Sequence, residues 1–327
     1  MTSVAIIPDM ALTLCSQGLL FAGRPVRINT NSPKIARYFA DFLAGDNPIH
    51  FGEPESAATI TVHVRERDGL CESSPWFRAR GHFAFARFTL ADAFWFNLRT
   101  REVYGVCTPE AADDVWRWRA HILPALLGIL SAVIGVAPVH GACVARGGRG
   151  TLLTGPSGTG KSTLTIALAK RGYKLLSDEW TYISAAGPDV AAWGLSVPVK
   201  LLPDASRFFP ELLNYCPATA LNGEAAYEVF PEECFGVSRQ THSSVNGIVL
   251  LERTALPGCR VDQISAAEAT HRLSQELEPL EGPLEYCYQH QLALIQRLAG
   301  AACLRLSFNE NPCKVAEALD AVLARME

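Results

Sequence analysis

The stretch GPSGTGKSTLTIALAKRGYKLLSDE, residues 155–179, decides how this chain is read. Its first eight residues satisfy GxxxxGK[ST]. A strand-like run, TLLT (151–154), precedes them and an amphipathic helical pattern follows, which is the setting where this motif has a mechanism. Glycines let successive amides turn inward around phosphate oxygens, and the helix N-terminus adds partial positive charge. The expected phosphate-binding set is Gly155, Pro156, Ser157, Gly158, Thr159, Gly160, Lys161, Ser162 and Thr163. Lys161 reaches for the β and γ phosphates, and Ser162 offers its hydroxyl to Mg2+. The expected ligands are therefore ATP and Mg2+.

The same stretch ends in an acidic pair. The helix predicted over 161–171 stops at Gly172, and the strand 173–177 leads into Asp178 and Glu179. A right-handed crossover between parallel strands would bring the phosphate loop and the acids to one crevice. An acid on the strand directly after the loop suits a kinase, where it accepts a hydroxyl proton or organises Mg2+. The candidate catalytic residues are thus Asp178, Glu179 and Lys161, with Ser162 and Asp178 at the metal. Spacing does not decide which acid is the base. No NKxD-like or LSGGQ-like segment accompanies them.

Upstream, VHGACVAR (139–146), GGRG (147–150) and TLLTG read as a hairpin feeding the loop. With GGRG as a four-residue turn, Arg146 faces Thr151, and that register extended puts His140 beside Ser157. His140 becomes a further candidate for the catalytic set, against an ordinary structural role.

Residues 1–115 alternate strand-like pieces with turns, among them GLLFAG, ATITVHVRE and FAFARFTL, around one helix in SPKIARYFADFLAG. This predicts a small α/β module. Residues 109–136 read as helical, with 116–136 a buried helix linking to a catalytic domain over 137–327. The uncharged run 122–139 is at the lower length limit for a membrane span, but Pro124, Pro138 and the strand it feeds favour burial. Later strands are expected at 197–202 and 245–253, and helices at 283–300 and 313–326. The fold class is α/β, with a C-terminal P-loop domain and a smaller N-terminal α/β domain.

Composition narrows the rest. A net charge of −4 leaves no basic footprint for nucleic acid. The ten cysteines include no CxxC pair, which fits reduced thiols in a cytoplasmic protein and argues against a zinc site. The first residues, MTSVAIIPDMALTL, lack the basic lead-in of a signal peptide. Lys200, Arg207 and Arg253 are spare bases that suit either solvent or an acceptor. The acidic, aromatic segment 222–236 suits either a surface excursion or an acceptor-docking loop. The tryptophans of DDVWRWRAH are expected to cover the junction between the two parts.

As an ordered set, VHGACVARGGRGTLLTGPSGTGKSTLTIALAKRGYKLLSDE resembles the catalytic domain of HPr kinase/phosphorylase and its related bacterial kinases. The strong likeness covers about 40 residues and weakens through VPVKLL and VNGIVLLER. It implies a nucleotide fold akin to that of phosphoenolpyruvate carboxykinases, ATP- and Mg2+-dependent phosphorylation of a serine hydroxyl, and a homo-oligomer, with a hexamer as one form. Lys161 and Ser162 would hold phosphate and metal, Asp178 would be the first family acid, and His140 the histidine beside the site. Glu179 stands where HPr kinases carry aspartate, and GLSVPVKLLP replaces the glycine-rich phosphorylase segment. This chain is therefore placed among the related kinases. Its expected function is transfer of the γ-phosphoryl group to a serine or threonine of a protein or peptide. The alternatives are a small-molecule hydroxyl kinase and an ATP-sensing protein without turnover.

Overall fold

A computed structural model describes residues 14–43, 57–66, 75–187, 189–219 and 223–325. The signal-peptide expectation falls on residues outside that set. The fold is mixed α/β, built on three sheets.

The first sheet holds β1 (Cys15–Phe21), β2 (Arg24–Thr30), β3 (Ala58–Val64), β4 (Trp76–Arg80), β5 (Phe83–Arg87), β6 (Ala93–Asn97) and β7 (Glu102–Cys107). Its strand order is β1-β2-β3-β7-β6-β5-β4, so β4 forms one edge. Period-two alternation works as expected here: Val26, Ile28, Ile60, Val62, Phe94 and Phe96 point inward and are buried. Helix α1 (Pro33–Leu43) lays Ile35, Phe39 and Phe42 on that inner face. On the outer face, Trp76, Phe85, Trp95 and Tyr104 form a ladder of ring contacts 5.3–6.3 Å apart across four strands. Strand β4, with all five residues exposed, has no sequence counterpart among the predicted strands.

The predicted long helix over 109–136 is instead a chain of pieces. These are α2 (Pro109–Asp113), α3 (Val115–Arg117), a π-helical turn over Trp118–Ile122, and α4 (Leu123–Ser131). Pro124 has no N–H, and its ring crowds the carbonyl one turn back. The π turn absorbs this, with the Leu123 amide donating to the Trp118 carbonyl. Helix α4, expected to be buried, buries Leu123, Leu126, Leu127 and Leu130 but leaves Ala125, Gly128 and Ile129 partly exposed. Among the described residues no helix is long and apolar enough to cross a membrane. The two tryptophans separate: Trp118 is fully buried and packs on Phe39 and Phe94, whereas Trp116 leans on Phe230. Leu126 and Leu130 of α4 share one core with the first sheet and with Tyr182 and Leu195 from the second half of the chain. The two parts are therefore continuous in packing.

The second sheet comprises β8 (Val136–His140), β9 (Ala142–Arg146), β10 (Arg149–Thr154), β11 (Lys174–Ser177), β12 (Trp180–Ala186) and β13 (Asp189–Trp193). After β14 (Val199–Leu201), β15 (Ala218–Thr219) and β16 (Ala225–Val229), which make the small third sheet, it is completed by β17 (His242–Arg253), β18 (Gly258–Gln263) and β19 (Ala302–Asn309). Its order is β11-β9-β10-β17-β13-β12-β8, with β19 pairing both β17 and β18. Helices α5 (Lys161–Ala169) and α9 (Pro312–Leu323) cover one face, and α7 (Ala266–Ser274) and α8 (Glu285–Gln296) the other. The short α6 (Pro231–Phe235) follows β16, so residues 225–235 of the expected docking loop are a strand and a helix.

The hairpin register differs from the expected one. Arg149 pairs with Arg146, and Thr151 with Val144. Gly147 and Gly148, at φ 57° and 80°, make a two-residue turn whose twist matches the strands, which leaves Arg149 and Gly150 inside β10. Gly141 also interrupts what read as one strand. A Cβ there would sit 2.8 Å from the Leu153 carbonyl, so β8 and β9 part at this point, and β8 pairs with β12 rather than with β10.

Candidate functional site

Strand β10 runs straight into the phosphate loop and α5, and α5 returns the chain to β11. Strands β10 and β11 each pair antiparallel with β9, so they run parallel to one another with β9 between them. The loop and the acids thus leave the same end of the sheet, as the crossover argument requires.

The loop's shape rests on its glycines. Gly160 adopts φ 94° at the start of α5, and no side chain caps that helix. Its first-turn amides are left to a ligand. Gly155 lies so close to β17 that a Cβ would fall 2.6 Å from the Leu251 carbonyl. Arg253, at the end of β17, fastens the loop: its Nε donates to the Thr159 carbonyl at 3.1 Å, and its guanidinium stacks on Phe308 at 4.5 Å. Of the three spare bases, Arg253 contacts the phosphate loop. The Lys200 side chain pairs with Glu224, and Arg207 is exposed on a 3-10 turn.

Lys161 is buried, and its Nζ donates to the carbonyls of Gly155 (2.7 Å) and Pro156 (3.3 Å). Burial lowers its pKa, while Glu276, Asp178 and Glu179, all within electrostatic range, pull it back up.

The acidic pair is split by environment. Asp178 and Glu179 form the link between β11 and β12; Asp178 is 5% exposed, while Glu179 faces solvent. Burial pushes the Asp178 carboxyl up to about 7, against the opposing pull of hydrogen bonds from the Ser162 side chain and the Lys200 amide. Its Oδ1 has no partner although it is inaccessible to solvent. A buried carboxylate oxygen left bare, on a carboxyl already joined to the loop serine, fits an oxygen-seeking cation such as Mg2+. No cluster of three or more His, Cys, Asp or Glu side chains suited to a metal occurs among the described residues, so phosphate and water oxygens would complete such a shell.

His140 is not beside Ser157. It pairs across the sheet with Trp180, and the next amide, that of Gly141, donates to the Glu179 carbonyl at 3.0 Å. The backbone of His140 is thereby tied to the acid link. The imidazole Nδ1 lies 3.5 Å from a Glu276 carboxylate oxygen, and the ring centroid 5.6 Å from that of Trp180. Glu276, just past α7, has no motif to announce it in the sequence.

Two clefts flank this group. One, of 530 Å3, is lined by Thr154, Gly155, Pro156 and Thr159 of the loop, by Arg253, Arg272 and Arg305, and by Glu276. The other, of 260 Å3, is lined by Asp178, Glu179, Trp180, Lys200 and Glu228. The loop lines one cleft and the acids the other, and the two share no lining residue.

No family model matches the chain, and no curated protein matches it. Among solved structures it is similar to an Hpr(Ser) kinase/phosphatase from Coxiella burnetii, at 13% identity and a TM-score of 0.30, over 58% of this chain and 97% of that one. A superposition that loose carries neither activity nor residue roles.

Proposed function

We propose that the chain is an ATP- and Mg2+-dependent phosphotransferase that passes the γ-phosphoryl group to a serine or threonine hydroxyl of a protein or peptide. The observation that carries this reading is Asp178: a buried carboxyl bonded to the phosphate-loop serine, with one bare oxygen and an acidity shifted to about 7. A carboxyl tuned to that range is suited to proton transfer at neutral pH.

The triphosphate would lie along the loop in the larger cleft, held by α5 amides and by Lys161, whose ammonium exchanges the Gly155 and Pro156 carbonyls for phosphate oxygens. Arg253 keeps the loop in shape. Ser162 and Asp178 would hold Mg2+, which supplies neutralisation of phosphate charge. The acceptor hydroxyl enters from the smaller cleft and gives its proton to Asp178. Its oxygen bonds to the γ phosphorus, the bond to the β-phosphate oxygen breaks, and ADP leaves. Glu179, exposed at the cleft mouth, meets the acceptor, and the His140–Glu276 pair sets the position of the acid link through Trp180 and Gly141. Alignment and charge neutralisation supply most of the acceleration. Residues 137–327 form the catalytic unit in this reading, and a cytoplasmic location suits its cysteines, which include no CxxC pair.

Incubation with γ-labelled ATP and cell extract, followed by separation of macromolecules from metabolites, tests the proposal. Label on protein serine or threonine supports it. Label only in metabolites favours a small hydroxyl acceptor, and saturable ATP binding with no transfer favours a sensor.

A further inference from the structure

We propose that the acceptor is held as an extended peptide strand, with apolar side chains seated in a groove beside the acids and a basic residue next to the phosphorylated hydroxyl. This rests on the phosphotransferase reading and names the substrate class of that site.

The groove has a volume of 720 Å3. It shares Pro124, Trp180 and Tyr182 with the smaller cleft that holds Asp178 and Glu179, so the two meet at those side chains. Its floor is one face of α4, with Ala125, Gly128 and Ile129 in line, and one wall is β4 with the half-exposed Phe77. Trp180, 44% exposed, stands at the junction. A large apolar surface left open next to a catalytic acid is expensive in water unless a partner covers it.

Strand β4 supplies the second argument. It ends the first sheet, and no strand among the described residues pairs with its outer edge. An extended segment added there would gain main-chain hydrogen bonds while alternate side chains dropped into the groove. A compact metabolite would use neither feature. Charge supplies the third. The end of the path at the acids carries the exposed Glu179 together with Glu228 against Lys200, which is itself paired with Glu224. An arginine or lysine beside the acceptor hydroxyl complements that excess.

The test uses fluorescent peptides of about 10 residues, enough for one strand. One carries serine, an adjacent arginine and alternating leucine and valine; its control replaces the apolar residues with glutamine. Anisotropy measures binding in the presence of Mg2+ and a non-hydrolysable ATP analogue. The apolar peptide should bind about tenfold or more tightly than the control, a difference of about 1.4 kcal/mol. Gly128→Phe fills the groove from a position where a Cβ meets nothing within 4 Å, and should bring the two peptides level while leaving ATP affinity unchanged. Ala79→Trp, on exposed β4, should do the same should the first variant misfold. Equal binding of both peptides by the wild type, or full apolar binding by both folded variants, overturns the proposal. So does a wild-type dimer, seen by sedimentation, that excludes peptide and that Gly128→Phe dissociates. Label transfer from ATP is read in parallel. Tight apolar binding without transfer removes the kinase reading and keeps the groove, whereas transfer to both peptides with equal KM removes the groove and keeps the kinase.

Discussion

Asp178→Asn separates stability from activity in a way few other substitutions here would. The carboxyl sits at about 7 in the folded protein against an ordinary value of 3.8, because burial disfavours its charge. The folded state therefore keeps a proton that the unfolded chain releases above about pH 4. The carboxyl's contribution to stability is complete below 3.8, falls as pH rises towards 7, and is gone above it. At about 1.4 kcal/mol per pH unit, that interval of about 3 units corresponds to roughly 4 kcal/mol as an upper figure. Asparagine carries no charge to bury. The variant should match the wild type near pH 4 and exceed it by about 2–4 kcal/mol at pH 8, the lower figure allowing for its imperfect replacement of the Ser162 and Lys200 hydrogen bonds. Urea denaturation across pH 4.5–8 reads this directly. Transfer should behave oppositely: the variant, the more stable protein at high pH, loses transfer throughout. A stability difference that stays flat with pH, or a variant that still phosphorylates, would refute the assignment of Asp178 as the buried, titrating acid.

Lys161→Ala should abolish ATP binding in calorimetry while circular dichroism stays native, since the hydrogen bonds of its ammonium go to loop carbonyls. Gly160→Ala should destabilise the protein by about 1–2 kcal/mol and raise KM for ATP, because φ 94° strains any Cβ and that Cβ would lie 3.0 Å from Arg253. Arg253→Ala should raise KM for ATP about tenfold or more with a smaller effect on kcat, by releasing the Thr159 carbonyl. Gly147→Asn should be neutral within about 0.5 kcal/mol in thermal melts and Gly147→Val clearly destabilising, since asparagine tolerates the left-handed turn and a β-branched residue does not.

The parts of this molecule legible in its sequence were those fixed locally. The β10–loop–α5–β11 unit is written into contiguous residues, and Gly172, with φ 93°, closes the α5 region where expected. The hairpin failed by two positions because a two-glycine turn and a four-residue turn use the same letters, and only strand twist selects between them. Helical periodicity hid the break at Asp114 and the π turn ahead of Pro124. Strands β18 and β19 pair with partners distant in sequence, so no local signal marked them, whereas β12 and β13 form a hairpin with each other that the expected strands did not include. Glu276 and Arg253 reach the loop from far downstream, and only the folded sheet brings them to Lys161 and Thr159. The division of labour between Asp178 and Glu179 depends on burial, which adjacent letters in a strand end do not encode.

A crystal structure with Mg2+ and a non-hydrolysable ATP analogue tests the central claim most directly. The account predicts the triphosphate along residues 155–163, its terminal phosphate touching Lys161 Nζ and the metal held by Ser162 and Asp178. A nucleotide whose terminal phosphate points away from Asp178, or a metal that touches neither residue, would contradict it.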